Sequence, residues 1–185
     1  MENEKKNLTP RTKTALVGAA VALVLILCFG FLAFGERKPA ADYTGLWETR
    51  YKEWIHVEKG EKAENYTGAV TGLVDKTEGT YYVKNGEVDL TYTGLGTSEE
   101  GWVYFTKGLL DDEFDGFATA GDTWYWVNDG AVDQSVTGTK SGTVAGETTW
   151  WYVEDGAIDF DYTGAAETDN GLYYFKNGKL DNVIG

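Results

Sequence analysis

Gly171-Leu172-Tyr173-Tyr174-Phe175-Lys176-Asn177-Gly178-Lys179-Leu180-Asp181 is the stretch that decides the fold, because versions of it recur from residue 43 to the end of the chain. Aromatic and β-branched residues precede a glycine, and the glycine follows Asn, Asp or Lys in a two-residue turn signal. This pattern predicts a strand, a tight turn and a second strand. The turn glycines are Gly60, Gly86, Gly108, Gly130, Gly156 and Gly178.

A second series of glycines, usually after threonine, alternates with the turn glycines. Its members are Gly45, Gly68, Gly94, Gly116, Gly138 and Gly164. Each of the first five turn glycines precedes a member of this series by eight residues, which indicates a fixed structural module. The remaining interval varies from 14 to 18 residues, so we interpret it as a surface loop, longest at 69–79 and 139–149.

The repeats predict an all-β fold in which six β-hairpins stack as an elongated solenoid, because units this short bury their cores against neighbours. We assign the repeats to residues 43–185 and a linker to residues 36–42. Residues 14–35 are predicted to form one N-terminal transmembrane signal-anchor helix, because 20 residues from Ala15 to Phe34 carry no charge. A cleaved signal peptide is the alternative.

The charges around this apolar segment predict its orientation in a membrane. Residues 1–13 form a basic tail with four cationic residues, against two after the segment, so the N-terminus is expected in the cytoplasm and the repeats outside the cell. The localisation expected is therefore a single-pass cell-membrane protein. The whole chain has a net charge of −14, which argues against nucleic acid as a partner and favours cationic groups.

The sequence contains no arrangement typical of catalysis. Its single cysteine, Cys28, lies in the apolar segment, which leaves the repeats without a disulfide, a Cys-His pair or a cysteine metal site. Acidic residues recur periodically, which suits a structural role better than one acid/base site. We predict that the protein is not an enzyme and uses no cofactor.

The aromatic strands suggest two functions for their side chains. Residues six and four positions before each turn glycine share one face of a strand, and many are Trp or Tyr. They either form core or leave open cages that attract quaternary ammonium groups, at roughly 0.5–2 kcal/mol per ring, or stack on sugars. Six positions after the turn glycine a further set is expected to pack on the following hairpin or to add a third wall. This set is Tyr66, Tyr92, Phe114, Val136 and Tyr162.

A ladder of aspartates lies three positions after the turn glycines. Its members are Asp89, Asp111, Asp133, Asp159 and Asp181. A short carboxylate at a turn commonly accepts hydrogen bonds from nearby backbone or hydroxyl groups. Calcium binding is the alternative, although one carboxylate per repeat is few for an ion that takes about six to eight oxygens.

The units resemble the cell-wall-binding, or choline-binding, repeats of Gram-positive surface proteins. The resemblance covers about residues 43–185 and rests on three aromatic motifs followed by an Asn/Asp-Gly turn, an apolar residue and Thr-Gly. The motifs are Trp124-Tyr125-Trp126-Val127, Trp150-Trp151-Tyr152-Val153 and Leu172-Tyr173-Tyr174-Phe175. The tryptophan that the family usually places after Thr-Gly is replaced here by Leu46, Ala69, Leu95, Phe117, Thr139 and Ala165.

The resemblance implies a stack of hairpins in which cages of tryptophan and tyrosine hold choline on cell-wall polymers. It places ligand-binding walls at Trp102, Tyr104, Trp124, Trp126, Trp150 and Tyr152. We therefore expect a membrane-anchored surface protein that binds a cell-envelope polymer or glycan through aromatic cages. The alternative is a structural or protein-interaction module with fully buried aromatics, whose acidic exterior meets a protein partner.

Overall fold

The computed structural model describes residues 38–183 and confirms the all-β class. Within this range eighteen strands form one hydrogen-bonded sheet in which every recorded pairing is antiparallel. The basic tail and the apolar segment at residues 14–35 lie outside the described residues. Between residues 38 and 183 no helix has the length and apolar character needed to cross a membrane.

The chain is built from six units of three strands each: a first strand, an aromatic strand and a short strand. Unit 1 contains β1 (Gly45–Glu48), β2 (Trp54–Glu58) and β3 (Glu61–Lys62), and unit 2 contains β4 (Gly68–Val74), β5 (Thr77–Lys84) and β6 (Glu87–Val88). Unit 3 contains β7 (Gly94–Ser98), β8 (Gly101–Thr106) and β9 (Leu109–Leu110), and unit 4 contains β10 (Gly116–Ala120), β11 (Thr123–Asn128) and β12 (Ala131–Val132). Unit 5 contains β13 (Gly138–Val144), β14 (Glu147–Glu154) and β15 (Ala157–Ile158), and unit 6 contains β16 (Gly164–Thr168), β17 (Gly171–Lys176) and β18 (Lys179–Val183).

The main hairpin of each unit joins the first strand to the aromatic strand, which corrects the interpretation of this interval as a loop. In unit 5, β13 and β14 align seven residue pairs, against five between β10 and β11 of unit 4. The segments at 69–79 and 139–149 therefore lengthen hairpins. Their ends close through Asp75-Lys76 and Ala145-Gly146, whose φ angles are all positive, as a two-residue type I′ turn requires. Threonines in these segments favour strand over loop.

In units 1 to 5 the strand after the turn glycine has only two residues. This short strand ends because the residues after it form a turn, which in units 2 to 5 begins at an aspartate of the ladder. Only β18 continues further, with an irregularity opposite Tyr174 and Phe175.

The turn glycines join each unit to the one before it. Asp129 and Gly130 both have positive φ, at 48° and 71°. The Gly130 amide donates to the Phe114 carbonyl at 3.0 Å, and its carbonyl accepts from the Tyr104 amide at 2.7 Å. Ala131 also pairs with Val103 of the preceding unit. The same contacts recur at Gly86, Gly108, Gly156 and Gly178. Each aromatic strand of units 1 to 5 therefore pairs with the next unit along the chain.

The core is formed by one position of each aromatic strand, the residue three positions before the turn glycine. The side chains there are completely buried in all six units: Val57, Val83, Phe105, Val127, Val153 and Phe175. Residues on the opposite face are also buried, including Leu46, Leu95 and Phe117. Both faces of the hairpins are therefore covered by neighbouring units, as the sequence predicted.

Candidate ligand-binding face

The predicted ligand-binding residues lie in pairs on three successive aromatic strands. Trp102 and Tyr104 are on β8, Trp124 and Trp126 on β11, and Trp150 and Tyr152 on β14. All six side chains are half-buried. Among residues 38–183 no close ring pair joins two of them. Whether they hold a ligand stays a prediction.

In three units an aromatic ring from the loop after the short strand stacks on the aromatic strand. Tyr104 and Phe114 stack with ring centroids 3.7 Å apart, and Tyr152 and Tyr162 with centroids 3.5 Å apart and planes within 6°. The third pair is Tyr82 and Tyr92, at 3.8 Å. One face of each strand ring is thus covered by a residue of its own unit.

The loop tyrosines also connect consecutive units, as expected for residues that pack on the following hairpin. The Tyr162 hydroxyl donates to the Ala165 carbonyl at 2.8 Å, and the Tyr92 hydroxyl donates to the Leu95 carbonyl at 2.5 Å. Burial, with a contribution from Tyr152, raises the pKa of Tyr162 above its ordinary value. These rings act as structural links, so a stacked pair presents little open aromatic surface to a ligand.

Unit 4 departs from this pattern because Val136 occupies the position of the loop ring. The face of Trp126 carries a cation instead, since Lys140 Nζ lies 4.9 Å from the ring centroid. Phe117 meets the same ring edge-on, with centroids 5.2 Å apart. The indole of Trp126 is therefore observed with an ammonium group over its face, an arrangement that an aromatic ring quadrupole favours.

Trp126 is also distinguished by its indole nitrogen. Nε1 is buried and has no hydrogen-bond partner among the described residues. By comparison, Trp151 Nε1 donates to the Gly142 carbonyl and Trp54 Nε1 donates to Asp75 Oδ1, each at 3.2 Å. An unsatisfied buried donor costs about 1–3 kcal/mol, which marks Trp126 as the least satisfied of these indoles.

Lys140 was missed in the sequence, although a signal for it exists. It lies two residues after a Thr-Gly glycine, and it is the only charged residue at this position. The other units have Trp47, Val70, Gly96, Ala118 and Ala166 there. This lysine occupies an otherwise uncharged position at the start of unit 5, directly after the loop of unit 4 in which Val136 replaces the aromatic ring.

Three aspartates of the ladder, Asp89, Asp133 and Asp159, accept the local hydrogen bonds that the sequence suggested, whereas Asp111 accepts from the Thr106 hydroxyl. Asp89 Oδ1 accepts from the Thr91 amide at 2.9 Å and from its hydroxyl at 2.6 Å, and Asp133 accepts the same pair of bonds from Ser135. The Thr91 hydroxyl and amide lower the pKa of Asp89, and those of Ser135 lower the pKa of Asp133. Within residues 38–183 no group of three or more His, Cys, Asp or Glu residues is close enough to hold a metal ion.

The comparisons with known proteins agree with the repeat pattern. A family model described as a choline-binding repeat matches the chain at four places, residues 69–89, 113–133, 139–159 and 161–181. All four matches end at an aspartate of the ladder. No curated protein sequence matches the chain.

Proposed function

Because the chain carries choline-binding repeats, we propose that its hairpin array binds choline-bearing polymers of a cell envelope through its aromatic rings. The observation that supports this function best is the ammonium group of Lys140 over the face of Trp126. It identifies one ring of the array as an acceptor for a cation. Repeats of this kind are binding modules, and we propose binding without catalysis.

The leading site of the proposal is the ring of Trp126. No loop aromatic stacks on its face, because Val136 occupies the position of the loop ring. Phe117 contacts the same ring edge-on and supplies a second wall. A quaternary ammonium ligand would displace Lys140 and gain the contact that the lysine now makes. The other predicted walls, at Trp102, Tyr104, Trp124, Trp150 and Tyr152, belong to the same proposal as weaker sites.

Charge supports the choice of ligand. The chain has 30 acidic against 16 basic residues, so its field concentrates cations and repels anionic chains. A choline-bearing polymer offers one cation per substituent, and several weak sites along one polymer multiply its apparent affinity. The proposed solenoid suits this use, since each unit pairs with its neighbours in the chain and repeats the same face.

We further propose that residues 14–35 anchor the array in the cell membrane, with the repeats outside. This rests on the 20 uncharged residues from Ala15 to Phe34 and on the basic tail before them. Cell fractionation tests it: full-length protein in the membrane fraction is expected. A shortened form in the culture medium would show that the segment is a cleaved signal.

Choline titration of the full-length chain, followed by tryptophan fluorescence, tests the binding proposal. Trp126→Ala is expected to weaken the choline affinity by about 2- to 30-fold, the range for one cation–π contact. Phe160→Ala is the matched control, because Phe160 is an exposed ring outside the aromatic strands and, among the described residues, carries no cation over its face. Lys140→Ala is expected to strengthen binding by removing the internal competitor. Unchanged affinity in both site variants would exclude this site.

A structural or protein-interaction role is the second candidate, and the stacked pairs favour it. Tyr104 with Phe114 and Tyr152 with Tyr162 occupy each other's faces, as rings with a purely structural role would. A pull-down of purified cell-wall fractions, eluted with choline or with sugar, separates the two functions. Retention that choline reverses supports the polymer, and a chain that retains no wall fraction supports the protein-interaction role.

A further inference from the structure

A cavity in units 1 to 3 differs in chemistry from the aromatic face. It has a volume of about 580 Å³ and its lining comes from all three units. Three carboxylates contribute to it, Glu58, Glu99 and Glu100, together with the rings of His56 and Tyr66. The lining contains no lysine or arginine. Its size is within the range of about 300–1,000 Å³ that small-molecule sites have.

The carboxylates of this cavity lack cationic partners in the described part of the chain. Glu58 meets only the imidazole of His56, whose Nε2 lies 3.2 Å from Oε1, and neither Glu99 nor Glu100 forms an ion pair. Burial raises the pKa of Tyr66, and the charges of Glu58 and Glu99 raise it further, which shows that both charges act on this hydroxyl. The negative field of two units thus converges on one ring.

His56 adds a buried imidazole to the lining of this cavity. Its side chain lines the cavity and is only 5% exposed, yet Nδ1 has no hydrogen-bond partner among residues 38–183. A buried polar atom without a partner costs about 1–3 kcal/mol. Nε2 is held by Glu58, and Nδ1 is enclosed by protein, so the imidazole contributes a fixed polar ring to the lining.

The corresponding positions of units 4 and 6 show that this chemistry is particular to the first three units. Trp126 and Val136 stand where His56 and Tyr66 stand here, and Asn128, Asp169 and Asn170 replace the three glutamates. The corresponding positions of units 4 and 6 therefore carry one carboxylate, Asp169, instead of three. The aromatic site at Trp126 and the acidic cavity are suited to different cations.

From the cavity, its three unpaired or weakly paired carboxylates and the buried imidazole, we infer a binding site for a protonated primary amine on a small polar body, such as an amino sugar. N–H donors match carboxylate acceptors, and charge-assisted hydrogen bonds of this kind are about twice as strong as neutral ones. A quaternary ammonium has no N–H group and depends on ring faces. Here the rings of His56 and Tyr66 pack against each other at a tilt of 56°, with centroids 4.5 Å apart.

Hydroxyl groups supply the remaining polar contacts of such a ligand. Thr71 and Thr80 both line the cavity, and their Oγ1 atoms are 2.8 Å apart. Ser98 adds a third hydroxyl at the turn that carries Glu99 and Glu100. The described residues hold no cluster of His, Cys, Asp or Glu tight enough for a metal ion.

Calorimetric titration of the full-length chain with D-glucosamine tests this site, with N-acetylglucosamine as the uncharged comparison. Glucosamine is expected to bind, and Glu99→Gln and Glu58→Gln are each expected to weaken it about five- to tenfold, the effect of removing one nearby charge. Glu113→Gln is the matched control, since it removes the same charge from an exposed position outside the cavity lining. These exchanges at the surface leave the core intact.

Equal affinity for glucosamine and N-acetylglucosamine would overturn the inference, as would unchanged glucosamine affinity in both glutamine variants or no measurable glucosamine binding. The site is separable from the choline proposal. Choline affinity is expected to be the same in Glu99→Gln as in the unmodified chain, and glucosamine affinity the same in Trp126→Ala. Loss of choline binding in Glu99→Gln would show one shared cation site and contradict the inference.

Discussion

Replacing Gly130 with alanine will weaken the joint between units 3 and 4 far more than a positive φ angle alone explains. A Cβ at this position would lie 2.3 Å from the Asp111 carbonyl oxygen and 2.7 Å from the Asp112 Cα. Both are backbone atoms and cannot rotate away. Unit 4 must therefore retreat from unit 3 by about 1 Å to restore ordinary van der Waals contact.

That displacement acts on the two hydrogen bonds of Gly130. Its amide bond to Phe114 at 3.0 Å and its carbonyl bond from Tyr104 at 2.7 Å both stretch beyond normal range. Two lost bonds cost about 0.5–1.5 kcal/mol each. A left-handed backbone adds about 1–2 kcal/mol for alanine. We expect the free energy of unfolding to fall by about 2–5 kcal/mol in total.

Gly121→Ala is the matched control, because Gly121 also has a positive φ, of 62°, but no atom lies within 4 Å of its added Cβ. Only the backbone term remains, so the loss expected is about 1–2 kcal/mol. Urea denaturation followed by circular dichroism measures both variants. Equal losses for Gly130→Ala and Gly121→Ala would refute the idea that close approach between units makes this glycine necessary.

Three further substitutions test other parts of the structure. Val136→Tyr supplies the missing loop ring, which is expected to stack on Trp126 and raise the free energy of unfolding by about 0.5–1.5 kcal/mol. The stacked ring is also expected to abolish the fluorescence response to choline. A retained response would contradict the placement of the choline site at Trp126. His56→Tyr should likewise form a stacked pair with Tyr66 and remove an unsatisfied nitrogen, and a loss of stability in urea would argue against this. The lowered pKa of Asp89 means that its stabilisation is complete above its unfolded pKa and is lost as pH falls through its folded pKa. An acid titration of Asp89→Asn should therefore show a shallower stability loss below about pH 4, and an unaltered slope would contradict the assignment.

The unit boundaries and the core were predictable because glycine and aromatic positions recur with fixed spacing. Val127 and its equivalents lie on one face of the aromatic strand and their neighbours lie on the other. Their burial therefore follows from strand periodicity. The role of Asp89 was also predictable, since Asp followed by a hydroxyl residue two positions later is a local pattern that needs no tertiary information.

The partner of the aromatic strand was harder to predict. Residues 139–143 read Thr-Lys-Ser-Gly-Thr, which contains no apolar side chain and suggests a loop. They form a strand because the glycine lies against the ring of Phe117 in the preceding unit, with an added Cβ only 2.7 Å from that ring. The acidic cavity needs side chains from three units. Contacts over such distances leave no periodic trace in one sequence.

The uniform joint between units has a consequence for the length of the array. From Gly86 to Gly178, each turn glycine lies against a backbone carbonyl of the preceding unit, and the nearest atoms are backbone atoms. Removing residues 116–137 would bring Asp115 directly before Gly138 and leave Gly156 facing the carbonyl of Phe114, which now serves Gly130. Unequal recombination between the coding repeats can therefore add or delete whole units in a single event. The number of units can therefore change without redesign of any interface.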